Sequence, residues 1–189
     1  MTDARTTSTA ALVVAGGLGT RMGGIDKPGL ELAGVALRER ALAAARDAGL
    51  NPIVHIGPET DGGPVAAIAA GIAKLVDASA QDVVVLAGDL VRPDEVIAAL
   101  TAAAGDAAGP GRDGTVLVDP DGRVQWLAAA YRIDALRSAL AALEDGPRDA
   151  SLRALLRGLD LHRVLADAPV VADIDTWQDY QTAKGQVDG

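Results

Sequence analysis

Apolar runs with the spacing of buried strands alternate with stripes that have the spacing of helices, and this alternation limits the fold more than any other feature of the chain. Ala11 to Ala15 (ALVVA) is apolar, partly β-branched and bounded by Gly16 and Gly17, which reads as a strand buried on both faces. Val35 to Ala48 then places Leu37, Ala41, Leu42 and Ala45 on one helical stripe, with Gly49 where a C-terminal cap belongs. The pattern repeats with Pro52 to Ile56 as a strand, Val65 to Val76 as a helix, Asp82 to Ala87 as a strand and Glu95 to Ala104 as a helix. Strands that alternate with helices indicate a parallel sheet covered on both faces.

After Gly105 the regularity breaks. Residues 105–113 are rich in Gly, Pro and Asp and are expected to form a mobile connection. Gly114 to Val118 and Arg123 to Tyr131 read as two strands joined by a turn at Pro120, Asp121 and Gly122, although LAAAY at the end also suits the start of a helix. Ile133 to Leu143 and Ser151 to Leu159 read as helices and Val164 to Ala172 as a last strand. Thr176, with Asp179 three residues on, opens a terminal helix. The expectation is a single three-layer α/β/α domain over 1–189, with a Rossmann-like, predominantly parallel sheet, one antiparallel excursion in the second half and a disordered tail at 1–9.

Composition narrows the function. With 189 residues the chain is long enough for one well-buried core, and the absence of cysteine excludes disulfides, Cys-ligated metals and a thiol nucleophile. The net charge of -9 opposes general attraction to nucleic acid or anionic lipid, and no apolar run is long enough to span a bilayer. A cytoplasmic protein, monomeric or weakly homo-oligomeric, is expected. There is no Phe, so Ala, Val, Leu and Ile must build the core, and small side chains imply close packing of helix on sheet.

The loop after the first strand reads AGGLGTRMGGIDKP, Ala15 to Pro28. Its glycines let backbone N–H groups approach phosphate oxygens. No Lys followed by Ser or Thr closes it, so it is not a Walker loop, and Met22 stands where the dinucleotide fingerprint needs its third glycine. Arg21 and Lys27 place two cations at the carboxyl end of the first strand, where open α/β sheets bind ligands, and this suits a triphosphate. The plain alternative is a surface turn with incidental charges.

The run LxxxGGxxxRMGxxDK resembles the signature loop of the MobA-like nucleoside-triphosphate transferases, to which molybdenum cofactor guanylyltransferase belongs; Gly16, Gly17, Arg21, Met22, Gly23, Asp26 and Lys27 fall into place. GGPVAAI at Gly62 to Ile68, VVVLAGDL at Val83 to Leu90 and DIDTWQDY at Asp173 to Tyr180 follow in the family's order. The resemblance implies the nucleotide-diphospho-sugar transferase type of fold and transfer of a nucleotide to a phosphorylated acceptor with release of pyrophosphate. It points to GMP from GTP onto molybdopterin, with cytidylyl or another nucleotidyl transfer to molybdopterin or another small phosphorylated acceptor as the alternative. Nucleotide binding then falls to Ala15, Gly16, Gly17, Leu18, Gly19, Thr20, Arg21, Lys27, Asp61, Gly63 and Pro64, and catalysis to Arg21, Lys27 and Asp89.

Asp89 ends an apolar run, so its carboxylate is expected at the same rim as the glycine loop. Mg2+ takes hard oxygen ligands and binds through one or two carboxylates plus substrate phosphates, so Asp89 is the first metal candidate, and Asp173 and Asp175 offer the second carboxylate, with Asp175 foremost. Alternatively, each aspartate simply caps a following helix. Gln125, Tyr131 and Asp173 are weaker candidates for the acceptor pocket, and Arg153 for an anionic acceptor. Two departures from the family pattern bear on substrate choice. Only GPETD separates the second strand from the GGPVAAI segment, and Asp173 and Asp175 stand where guanylyltransferases acting on molybdopterin often carry asparagines. A rival of another class is a non-catalytic nucleotide-binding regulatory module; retention of Arg21, Lys27 and Asp89 together argues against it.

Overall fold

The computed structural model describes residues 8–16, 25–76, 78–107 and 112–187. Its six-stranded sheet contains β1 (Thr9–Val14), β4 (Ile53–Ile56), β5 (Asp82–Ala87), β6 (Gly114–Val118), β7 (Val124–Arg132) and β8 (Leu161–Leu165), in the order β4-β1-β5-β7-β6-β8. β1 pairs in parallel with β4 and β5, with Leu12 opposite Val54 and Val85. β7 runs antiparallel to both neighbours, and β8 is parallel to β6. The sheet is thus parallel apart from the one excursion at β7.

Alternation along β1 explains the layers. Ala10, Leu12 and Val14 face a core built with Val65, Ile68 and Ile72 of α2 (Gly63–Lys74), Leu136 of α4 (Ile133–Ala141) and Leu155 of α5 (Leu152–Leu156). Ala11 faces the other core, with Ala45 of α1 (Leu37–Asp47) and Val96, Ile97 and Leu100 of α3 (Pro93–Ala107). Side chains that point to opposite faces with period two require apolar residues at every position of a strand covered on both sides.

Several boundaries differ from the sequence pattern for identifiable reasons. The helix expected over Val35–Ala48 begins at Leu37, because Val35–Ala36 (β3) pairs antiparallel with Glu31–Leu32 (β2). The intervening Ala33 and Gly34 have φ of 49° and 75°, as a two-residue hairpin turn with left-handed central residues demands. At the other end Leu50 N–H donates to Ala45 O and Gly49 N–H to Arg46 O, with Gly49 at φ 72°, a Schellman cap.

Of the connection expected at 105–113, residues 105–107 continue the alanine-rich α3, 108–111 lie outside the described residues, and Asp113 is pinned. Its N–H donates to Asp160 O, and its carbonyl accepts from Arg132 N–H. At the N-terminus, Thr9 already belongs to β1, while 1–7 lie outside the described residues. The LAAAY stretch stays extended within β7 and does not turn helical.

The last strand is Leu161–Leu165, not Val164–Ala172. Parallel pairing with β6, Val116 opposite Arg163, ends at Leu165, and Val170 N–H closes a turn onto Asp167 O around Pro169, which has no N–H to offer a ladder. The chain then crosses back toward β5, and α6 (Trp177–Val187) follows. Thr176 Oγ1 accepts from Asp179 N–H at 3.2 Å, and Thr176 N–H donates to Asp179 Oδ2 at 2.7 Å, a reciprocal capping box with aspartate as its acid.

Candidate active site

The parallel strands β4, β1 and β5 end at one rim. Ala15 N–H donates to Ile56 O at 2.8 Å and Gly88 N–H to Val14 O at 2.8 Å, so the chain leaving β1 is clamped between the ends of its two neighbours. Two glycines make that approach possible. A Cβ on Gly88 would sit 2.7 Å from Ala15 Cβ and 2.9 Å from Ala15 Cα, and one on Gly16 would sit 3.1 Å from Gly57 O. Gly17, Leu18, Gly19, Thr20 and Arg21 lie outside the described residues, as do Met22 and Gly23. The chain is described again at Ile25, and Lys27 opens a 3-10 turn over Lys27–Gly29 with Pro28 buried beneath it.

Lys27 meets a carboxylate from far along the chain here. Leu90 forms an antiparallel bridge with Asp173; on either side, Ile174 N–H donates to Asp89 O and Val91 N–H to Ala172 O. Ile174 is fully buried with Leu32, Leu37 and Val91, which anchors this segment. In an extended chain, burying Ile174 turns Asp173 and Asp175 together to the opposite side. Lys27 Nζ donates to Asp175 Oδ1 at 2.8 Å, with the lysine side chain only 12% exposed. Asp26, its neighbour, pairs instead with Arg38.

Burial first, then the nearby charge of Asp173, pushes the Asp89 carboxyl up to about 6; the Lys27 ammonium and its own backbone N–H oppose this, and Asp175 adds to it. Asp173, although exposed, is raised as well, by desolvation and then by Asp175. Two carboxylates that resist ionisation beside one another suit a divalent cation, which would relieve both the desolvation and the repulsion. Among the described residues no group of three or more His, Cys, Asp or Glu is arranged to hold a metal. A cation here would therefore depend on substrate phosphates for its remaining oxygens, as Mg2+ commonly does. Asp173 acts on Asp89 more strongly than Asp175 does.

From Asp89 and Asp173 a cleft of about 700 Å³ extends past Gln125 and Trp126 toward α5 and β8. Its wall is shaped by a bulge. β7 pairs Ala129 with Val116 and then Gln125 with Leu117, so Trp126, Leu127 and Ala128 are extra residues on one strand, and all three line the cleft. Gln125 lies in the cleft, where its amide donates to Asp119 Oδ2 at 3.1 Å.

Tyr131 does not belong to this pocket. It is 1% exposed, stands opposite Val83 near the start of β5, and donates its hydroxyl to Trp126 O at 2.9 Å, so it is a core residue; burial alone raises its phenol. Antiparallel β7 carries its residue 131 away from the rim that its residue 125 reaches. Asp61, Gly63 and Pro64 sit beyond β4 at the start of α2, with Asp61 exposed. Gly62 and Gly63 have φ of 98° and 81°, and nothing lies within 4 Å of a Cβ built on Gly63. No strand intervenes between β4 and α2.

Sequence reasoning raised Arg153 but missed Arg123, Arg157 and Arg163, which line the same cleft. Only the spacing of Arg153 and Arg157, one helical turn apart, offered a signal.

Comparison with known proteins agrees with this fold. Among curated proteins no sequence match was found. Among solved structures, a nucleotidyl transferase from Methanothermobacter thermautotroptrophicus shares 22% identity at a TM-score of 0.68, covering 95% of this chain and 97% of that one. Molybdopterin-guanine dinucleotide biosynthesis protein A from Archaeoglobus fulgidus shares 20% identity at 0.63, over 95% and 98%. The 2-C-methyl-D-erythritol 4-phosphate cytidylyltransferase from Thermus thermophilus shares 21% at 0.64, over 97% and 100%. At these identities the likeness shows the fold. The family model for the MobA-like NTP transferase domain matches residues 11–61 and 56–164, most of the chain, and with the strand-end rim just described this makes the protein a nucleotidyltransferase that belongs to the MobA-like family.

Proposed function

We propose that the protein transfers GMP from GTP to molybdopterin in a magnesium-dependent reaction, working in the cytoplasm as a monomer or weak homo-oligomer, with neither nucleic acid nor membrane as a partner. The observation that carries this reading is the convergence of Lys27, Asp89, Asp173 and Asp175 where β1 and β5 end. Among the described residues no helix is long and apolar enough to cross a membrane.

In the proposed reaction a phosphate oxygen of the acceptor forms a bond to the α-phosphorus, and the bond from that phosphorus to the oxygen bridging to the β-phosphate breaks. Pyrophosphate leaves with the electron pair. Ala15 and Gly16, with the rest of the glycine loop and Arg21, supply N–H groups and charge to the phosphates. Lys27, aimed by Asp175, stabilises the charge that grows on the leaving pyrophosphate; a preorganised cation does this without reorganising at the moment of reaction. Asp89, with Asp175 or Asp173 as the second carboxylate, would hold Mg2+, which would supply charge neutralisation of the phosphates when bound. Asp61, Gly63 and Pro64 flank the base and ribose, and Gln125 faces the acceptor.

A second reading keeps the chemistry and exchanges the base or the acceptor. It draws on the short link between β4 and α2, which gives base recognition fewer residues, and on Asp173 and Asp175 in the last motif. Calorimetric titration with GTP, CTP, ATP and UTP, each with and without Mg2+, separates the readings. A magnesium-dependent preference for GTP is expected; a preference for CTP replaces the product, and failure of every triphosphate to bind refutes nucleotidyl transfer.

A further inference from the structure

The cleft that leads away from Asp89 is lined by four arginines from three parts of the fold: Arg123 where the chain enters β7, Arg153 and Arg157 at α5, and Arg163 on β8. All four are exposed, and among the described residues none of their guanidinium groups makes a hydrogen bond or an ion pair. Other arginines of this chain do find acids, as half-buried Arg38 finds Asp26, half-buried Arg92 finds Glu95 and exposed Arg132 finds Asp134. In a protein with net charge -9, where acids outnumber bases 26 to 17, four arginines line one cleft against two acids, Asp89 and Asp173, so positive charge is locally in excess there. The local positive field also opposes the overall charge, so it acts on a ligand only at close range.

The placement divides the cleft. Arg123 acts on Asp173, at the end where the acceptor's phosphate would meet the α-phosphorus. Arg153 and Arg157 are one helical turn apart, on a short helix anchored by the buried Leu155 and Leu156. Arg163 comes from the edge strand, held in register opposite Val116. Planar guanidinium groups pair two-pronged with carboxylate or phosphate oxygens, so three together are more than one attacking phosphate requires.

Resting on the nucleotidyl-transfer reading, we infer that the acceptor carries a second anionic group besides the phosphate that attacks, and that Arg153, Arg157 and Arg163 bind that second group while Arg123 guides the attacking one. The acceptor class is a small phosphorylated compound with a further carboxylate, phosphate or comparably charged group.

The test uses glycerol 3-phosphate as a probe with one phosphate, and 3-phosphoglycerate and fructose 1,6-bisphosphate as probes with a second anionic group. Each is titrated calorimetrically into the full chain with Mg2+, alone and with the α,β-methylene analogues of GTP and CTP, which occupy a nucleotide site without turning over. The doubly anionic probes should bind at least about tenfold more tightly than glycerol 3-phosphate, and the triple variant R153Q/R157Q/R163Q should erase that preference. Circular dichroism and the analogue affinity establish that the variant is folded and keeps its nucleotide site. If the analogues bind but the probes do not differ, or if the triple variant keeps the preference, the second-anion inference is overturned and nucleotidyl transfer stands. If no analogue binds yet the arginine-dependent preference persists, the anion site stands and the nucleotidyl-transfer reading falls.

Discussion

Lys27 Nζ lies 2.8 Å from Asp175 Oδ1, a contact between residues 148 positions apart that ties the glycine loop to the segment before the last helix. The lysine is nearly enclosed, whereas the aspartate is 41% exposed. Substituting Lys27 with Ala therefore leaves an acid that water can solvate, and the fold should survive. Turnover should fall by at least about tenfold, the usual scale for losing one preorganised charge near a reacting phosphate. Single-turnover kinetics beside a circular dichroism melt would check both; an unchanged rate removes Lys27 from the reaction.

Asp89 makes stability depend on pH. Its folded-state pKa of about 6 stands above the ordinary 3.8, so the folded protein holds this proton more tightly than the unfolded chain does. The contribution is fully present below pH 3.8 and is lost as pH rises through 6, amounting to on the order of 2–3 kcal/mol. Asp89→Asn should flatten this component in chelator and melt higher than the native chain at pH 8. The affinity of the native protein for Mg2+ should weaken as pH falls below 6, because ligation needs the carboxylate. Urea unfolding across pH and Mg2+ titration measure the two effects. A variant with the same pH profile as the native protein would show that Asp89 ionises normally.

How far these features were legible depended on how local they are. β5 has its expected limits, Asp82–Ala87, because an uninterrupted apolar and β-branched run leaves little freedom, and the cap of α6 is written in Thr176 and Asp179. The β2–β3 hairpin was hidden, since two-residue strands carry no periodicity and Ala33 does not advertise a positive φ. The bulge in β7 falls among Trp126, Leu127 and Ala128, where every side chain is apolar and a slip in register leaves no trace. At the site, Lys27 and Asp89 were readable from their motifs. The arginine cleft was not, because it is assembled from β7, α5 and β8.

Tyr131 tests the boundary between core and site. Its hydroxyl satisfies Trp126 O within the apolar core, so Tyr131→Phe should leave that carbonyl short of a donor and cost about 1 kcal/mol. Triphosphate affinity should not move, since Tyr131 stands near the start of β5 and the nucleotide rim lies at its end. Chemical denaturation paired with calorimetry reads both quantities. A weakened triphosphate with unaltered stability would place the residue at the site after all.

Gly88 concentrates the packing demand of the rim. It follows β5 and precedes Asp89, and its N–H binds Val14 O while a Cβ would press on both Ala15 Cβ and Ala15 Cα. Ala15 is itself 2% exposed and bonded to Ile56 O, so it cannot retreat without parting β1 from β4. Gly88→Ala should therefore shift the start of the glycine loop against Asp89 rather than merely crowd a flexible side chain. Overpacking of this kind costs about 1–3 kcal/mol. The same displacement at a site that aligns phosphate with carboxylate should reduce turnover by on the order of a hundredfold. Gly49→Ala provides the contrast: φ is 72° there and nothing lies within 4 Å of the new Cβ, so stability should suffer from backbone strain while turnover is kept. Melting temperature and turnover measured on both variants separate the cases. If Gly88→Ala retained native turnover while losing as much stability as Gly49→Ala, contact between the ends of β1 and β5 would not set the geometry of the reaction.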